Sequence, residues 1–438
     1  MKRLLMLAAS AAALCAAPAL AQDMVVTNAT LVIGDGTAPI EGGAVVVDDG
    51  KVVFAGLPTP GQAFATDVLI DAGGAWVTPG LFATVTTLGL ADVSAVDESN
   101  DISADKSPFS AALDAATAIN PTSENIKVHR AAGITRAATT TMPAGSIFAG
   151  QGAIIDLDGD ARPVMQARAF QMIDLGEGGG RRAGGSRVAA YALLQAALRE
   201  AQALSGQSGI PQTTAIARDN EVLLSRFDAE ALVPVVTGRQ KLYVAVDRAA
   251  DIRAVLALKA DYPRLAMVLV GATEGWLVAD AIAAAGVPVI ANGLTDLPET
   301  FEKLGATQSN AGRMARAGVT VAINAATLQN PRRLQQVAGN LVALTRMPGA
   351  AGLDWGQAFA AISSVPAAIS GMGGKAGVLK PGALGDVVVW DGDPLEAGSV
   401  PTRVFIGGRE QRLESHQSGL RDRYRDLDES DRPKAFDW

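Results

Sequence analysis

The chain has one cysteine in 438 residues, Cys15, and it lies in an N-terminal stretch with a recognisable purpose. MKRLLMLAASAAALCAAPALAQ begins with basic Lys2 and Arg3, continues with a short apolar run and ends in small residues at Ala19-Leu20-Ala21. This order predicts a secretory signal peptide over 1–21, cut before Gln22, and so a periplasmic or secreted protein. The apolar run is too short for a membrane anchor. Leu14 stands before Cys15, where a lipoprotein signal has a small residue. Cleavage leaves no thiol, which excludes disulfides and cysteine metal sites in an otherwise oxidising compartment. Aromatic residues (5%) and charged residues (19%) are also scarce. The net charge is −8, falling to −10 when Lys2 and Arg3 are removed, and would repel a phosphate backbone. Nucleic acid is therefore not an expected partner. The 49% hydrophobic content instead provides for a well-packed core.

Residues 24–78 alternate short apolar runs with Gly-Gly and Asp-Gly turns, as in GGAVVVDDGKVVFAG, and 373–413 repeat the style in LGDVVVWDGDP and VPTRVFIGGRE. The two ends predict one small β-sandwich assembled from both termini. Between them, 79–372 alternates strand-like runs with Ala- and Leu-rich helical stretches. KLYVAVD followed by DIRAVLALKADY, and LAMVLVG followed by WLVADAIAAAG, are examples. Such alternation predicts an α/β domain with parallel strands, a TIM-type (β/α)8 barrel ahead of a doubly wound sheet. GEGGGRRAGGSR (176–187) reads as a mobile glycine loop whose Arg181, Arg182 and Arg187 could hold an anionic ligand. The tail, 414–438, interleaves charges of both signs and reads as a solvated extension or an arm clasping a partner.

VTPGL at the entry to the barrel, IFAGQGAIIDLDG at 147–159, GATEGWLVADAIAAAGVPVIAN at 271–292 and GGKAGVLKPGALGDVVVWDGDPLE at 373–396 together resemble the amidohydrolase superfamily, in particular its imidazolonepropionase-like, metal-dependent hydrolase branch. The resemblance runs over nearly all of 24–413. It implies a barrel whose Zn²⁺ or other divalent metal activates water for attack on a C–N bond. It also implies where ligands should stand, and there the chain departs from the pattern. The strand-one His-x-His pair falls on Val85 and Thr87, the strand-five His on Ala245, the strand-six His on Gly271 and the strand-eight Asp on Ala326. None can serve as a zinc ligand beyond the weak hydroxyl of Thr87. The mature chain has only His129, on a helix before a strand, and His416, at the start of the tail. Both read as surface or capping residues, so no cofactor is expected.

Other chemistry has less support. Asp92, Asp97, Glu98 and Asp101 follow the first barrel strand and could in principle form a carboxylate cation site or supply a general base, with Asp97 and Glu98 the candidates. DLDGD (156–160) lacks the spacing and final Glu of a calcium loop and reads as a hairpin turn. Ser103 and Lys106 fit S-x-x-K without its companion motifs. Three functions remain: a metal-free pseudoenzyme that binds a small-molecule or peptide ligand or pairs with an intact paralog, as a homo- or hetero-oligomer; a hydrolase of C–N bonds with a relocated or metal-free site; and an envelope-interaction protein acting through the tail.

Overall fold

The structure is a computed structural model that describes residues 23–62, 64, 66–93, 95–206, 224–324 and 331–425. The stretch 1–21, expected to be a signal peptide, Ala326 and residues 426–438 of the tail lie outside the described residues.

Two eight-stranded sheets organise the chain. The first takes β1 (Met24–Leu31), β2 (Ile40–Asp48), β3 (Lys51–Gly56), β4 (Val68–Asp71) and β5 (Trp76–Pro79) from the N-terminal side. The second holds β6 (Leu81–Thr86), β7 (Ile134–Thr139), β8 (Phe148–Asp156), β9 (Val164–Asp174), β10 (Lys241–Val246), β11 (Met267–Gly271), β12 (Val289–Asn292) and β13 (Val321–Asn324). The chain then returns to the first sheet with β14 (Val387–Trp390), β15 (Pro401–Ile406) and β16 (Arg409–Glu410), β14 lying antiparallel to β5. The joint has a physical cause. Val77 and Val389 are buried on one face of the sheet, while Trp390 on β14 donates its indole N–H to Thr78 at 3.0 Å. Neither terminal piece could bury this surface alone.

The second sheet is a nearly closed barrel, and this is a TIM-type architecture with one departure. β8 runs antiparallel to both β7 and β9. Residues 140–147 and 157–163 are too short for the crossover of a dozen or more residues that parallel neighbours require. The seam between β13 and β6 is closed by the chain at 361–362: Ile323 donates to Ala361 O and Phe82 to Ile362 O. Alternation along the strands separates two layers. Phe82, Val85, Phe170, Met172, Tyr243, Val268, Ile290 and Ala322 fill the interior, with Phe170 stacked on Tyr243 at 4.2 Å between ring centroids. Leu242, Val244, Leu269 and Ile323 face outward against helices such as Arg187–Ser205 and Ala249–Asp261.

Candidate functional site at the barrel mouth

Catalytic groups of barrels of this type gather where the parallel strands end. Here those ends bring together Asp174 on β9, Asp247 just after β10, Gly271 on β11 and Asn292 on β12. Asp174 follows the interior residues Phe170 and Met172 on the same face of its strand, as Asn292 follows Ile290.

Both aspartates are already engaged. Asp174 accepts from the Gly176 amide at 2.8 Å and from Arg182 Nη1 at 2.7 Å, one on each oxygen. Asp247 Oδ1 accepts from the Thr273 amide at 3.0 Å and its hydroxyl at 2.6 Å. Burial pushes the Asp247 carboxyl above the ordinary range and the charge of Asp174 adds to this, while the Thr273 bonds and Lys303 oppose it. Glu302 is pushed up for similar reasons, burial first and then the charges of Asp247 and Glu177. It is held by the Glu177 amide at 2.6 Å and by Arg187 Nη2 at 3.0 Å.

The glycine-rich segment is no mobile loop. Residues Glu177–Arg182 form a short helix, with Gly179 and Gly180 buried. A Cβ on Gly179 would lie 1.9 Å from the Asp174 carbonyl oxygen, and one on Gly176 would lie 2.8 Å from Glu302 Oε2. The glycines are there because backbone is laid directly over the mouth acids, a contact that sequence composition does not report. Two of the three candidate arginines follow. Arg182 is spent on Asp174, and Arg187 bridges Asp251 at 2.9 Å, Glu302 at 3.0 Å and Glu177 at 3.7 Å. Arg181 is exposed, with no ion pair among the described residues. An anion-binding triad is not assembled.

Of the positions assigned to metal ligands by resemblance, Val85 and Ala245 border this interior. Val85 is buried in the interior cluster and Ala245 packs against it. Val85 has φ +53°, an outlier for a β-branched residue, and sits where the β6–β7 register shifts between Ala83 and Thr86. Such a bulge re-aims a side chain, here an isopropyl group, into the barrel. Thr87 is buried beyond the strand end. Gly271 has φ +89°, and a Cβ there would sit 2.7 Å from Asp247 Oδ1. A histidine at 271 would therefore require both a strained backbone and a displaced Asp247. Among the described residues no group of three His, Cys, Asp or Glu converges as a metal cage.

The remaining candidates are placed elsewhere. Asp97 and Glu98 sit exposed on a single 3₁₀ turn, Asp97–Ser99, and neither bonds to the mouth acids. Asp92 instead accepts both of its hydrogen bonds from Asn120, at 3.0 and 2.9 Å. His129 is buried rather than at the surface, bonded through Nδ1 to Asn125 O at 2.6 Å, and burial pulls it down to about 4. His416 is exposed, its amide on Glu124 of the same helix that carries His129. The sequence reading missed Asp247 and Glu302. Asp247 closes the strand motif KLYVAVD, but nothing in that motif distinguishes it from a helix-capping acid.

Beside the mouth lies a cavity of about 240 Å³ between the β6–β7 connection, the β7–β8 loop and the helices Arg187–Ser205 and Arg226–Val236. Phe109, Leu113 and Phe148 give it apolar walls, and Ser107, Ser110 and Ser146 supply hydroxyls. Among the described lining residues the one carboxylate, Asp228, is consumed by the amides of Ser110 and Ala112 and by the Ser225 hydroxyl, at 2.9, 2.8 and 2.7 Å. The space suits a small uncharged ligand better than an ion.

Residues 266–412 match the amidohydrolase family. A curated relative, the amidohydrolase tasK of Hapsidospora irregularis, is 43% identical over 60 residues, which is 14% of this chain and only 6% of that protein. Among solved structures, an amidohydrolase from Thermotoga maritima MSB8 superposes with a TM-score of 0.75 at 20% identity, over 89% of this chain and all of that one. A zinc-bound adenosine deaminase from Xanthomonas campestris superposes with a TM-score of 0.53 at 17% identity, over 92% and 97% of the two chains. At these identities the structures speak for the fold alone. The match to the amidohydrolase family thus covers residues 266–412, and the barrel shares its fold with the solved amidohydrolase from Thermotoga maritima MSB8.

Proposed function

We propose that this protein is a non-catalytic amidohydrolase-family binding subunit, exported by its N-terminal segment, that takes a small uncharged ligand beside the barrel mouth and assembles with a catalytically intact relative. The observation that carries the reading is the pair Gly271 and Asp247: backbone at positive φ and a carboxylate at 2.7 Å stand where a ligand side chain would need to project. Val85 and Ala245 supply hydrocarbon on the facing strands. A zinc site needs three or four nitrogen, sulfur or oxygen donors at about 2.0–2.3 Å, and the described residues of this mouth offer three carboxylates, Asp174, Asp247 and Glu302, each already used internally.

The test is elemental analysis of the purified protein, a zinc titration followed by thermal unfolding, and a panel of amide substrates. The expected result is substoichiometric metal, no saturable rise in Tm and no turnover. One tightly held transition-metal ion per chain would overturn the reading. Co-elution with an encoded intact relative is expected at micromolar concentration, and separate elution would remove the partner half.

One observation favours a second reading, a metal-independent hydrolase. Asp247 and Glu302 are both pushed above the usual carboxylate range at a barrel mouth, as a general acid–base pair requires. Turnover of an amide substrate abolished in Asp247→Asn, with Tm retained, would establish it in place of the first.

A further inference from the structure

The residues around the cavity beside the mouth prescribe what a ligand there must carry. One carboxylate builds its aromatic wall. Asp228, buried in the first turn of the helix Arg226–Val236, takes the Ser110 and Ala112 amides on Oδ1 and the Ser225 hydroxyl on Oδ2. These bonds pin residues 110–112 to the helix and bring the neighbours of Ser110 and Asp228 together. Phe109 meets Phe227 edge-on, with ring centroids 5.6 Å apart and ring planes at 77°. Both rings are nonetheless open to water, Phe109 at 42% and Phe227 at 55%. Phe109 lines the cavity, and Phe148 on β8, itself buried, adds a second ring to the lining.

The polar part of the lining is one-sided. Ser107 Oγ accepts from the Phe109 amide at 3.1 Å, and Ser146 Oγ accepts from the Phe148 amide at 3.4 Å. Each hydroxyl is thereby fixed beside an aromatic residue, yet its own proton has no protein acceptor among the described residues. The same holds for the Ser110 hydroxyl. A serine hydroxyl has one donor and two acceptor positions, so three donors remain to be matched. The described lining contains no cation, and its one carboxylate is already bonded. An anion would face Asp228 in a half-apolar space without a counter-ion, which is costly. A neutral acceptor oxygen would not.

Resting on the reading of this cavity as the ligand site, we propose that it binds a neutral aromatic carbonyl compound. One ring packs against Phe109 and Phe148, and an amide, ketone or ester oxygen accepts from the serine hydroxyls. Aromatic pairs gain more than their buried area alone provides, which gives the exposed but rigidly held Phe109 a purpose. The size agrees. An apolar cavity of about 150 Å³ holds benzene, so the 240 Å³ here accommodates one ring with a short polar substituent.

Ligand-observed NMR titrations of the full chain with four millimolar probes test it. Benzamide should bind saturably. Cyclohexanecarboxamide, which lacks the π face, and toluene, which lacks the oxygen, should each bind about two- to tenfold more weakly. Benzoate, with the shape of benzamide and a negative charge, should not saturate. Phe109→Leu should bring benzamide down to the affinity of cyclohexanecarboxamide and leave the latter unchanged. The wild-type series stands without the variant should it fold poorly. Failure of benzamide to bind, or equal binding of benzamide, cyclohexanecarboxamide and benzoate, would overturn the proposal in a metal-free, inactive protein whose non-catalytic reading survives. The expected ranking in a preparation that carries stoichiometric metal or turns over amides would support this ligand class while removing that reading.

Discussion

The two ends of the barrel use the same side chains to opposite purpose. At the mouth, Asp174, Asp247 and Glu302 crowd like charges together. Among the described residues Arg182, Arg187 and Lys303 moderate them, and backbone is laid over the top. At the seam between β7 and the start of β14, Arg136 meets Asp386 in a bidentate grip with both partners nearly inaccessible to water. Buried charge is costly unless paired with good geometry, so the seam joins β7 to β14 strongly and specifically. The mouth tolerates mispaired acids because it remains partly open, as the half-buried Ala245 and Val270 indicate. Charge at the seam joins two sheets, whereas charge at the mouth is held by local partners beneath close-packed glycine backbone.

Arg136→Met should break that comparison most severely. It leaves its partners Asp386 and Asp156 buried without a cation, and a loss of about 3–5 kcal/mol in urea unfolding is expected. A loss below about 1 kcal/mol would mean the seam is not an essential joint. Gly179→Ala places a methyl group 1.9 Å from the Asp174 carbonyl oxygen and should cost about 1–3 kcal/mol through displacement of the short helix. If Tm is unchanged, the helix does not press on the mouth.

Thr273→Val sharpens the same contrast through pH. It removes the hydroxyl that holds Asp247 Oδ1, at an expected cost of about 1–2 kcal/mol. The raised Asp247 carboxyl then rises further, so the deficit against wild type should be small in acid, where the carboxyl is protonated in both proteins, and grow as pH rises through the folded pKa. Arg182→Ala is expected to have the smallest effect, about 0–1 kcal/mol, because its pair with Asp174 is partly exposed to water.

Much of the fold is written locally. The apolar runs of β10 to β13 with their intervening helices, and the Asp-Gly and Gly-Gly turns at both ends, follow from periodicity and turn chemistry that neighbouring residues impose on one another. The reversal of β8 is not visible in periodicity; it follows from the short connections on either side, which leave no room for a crossover. The glycine segment 176–187 reads as a loop for a different reason. Glycine is as common in mobile loops as in close-packed backbone, and only the 1.9 Å approach to Asp174 distinguishes them. His129 reads as a surface residue by type and proves to be buried, because the helix that carries it turns that face inward.

Residue identity alone determined that no histidine stands at Val85, Thr87, Ala245 or Gly271, and that strands alternate with helices through the middle of the chain. Those are properties of residue type and spacing. Only the tertiary structure decided that Asp247 closes the space beside Gly271, that Arg182 and Arg187 face inward, and that Arg136 meets an aspartate 250 residues away. The reason is physical: what a charge does depends on burial and on partners distant in sequence, and the chain brings those together only when it folds.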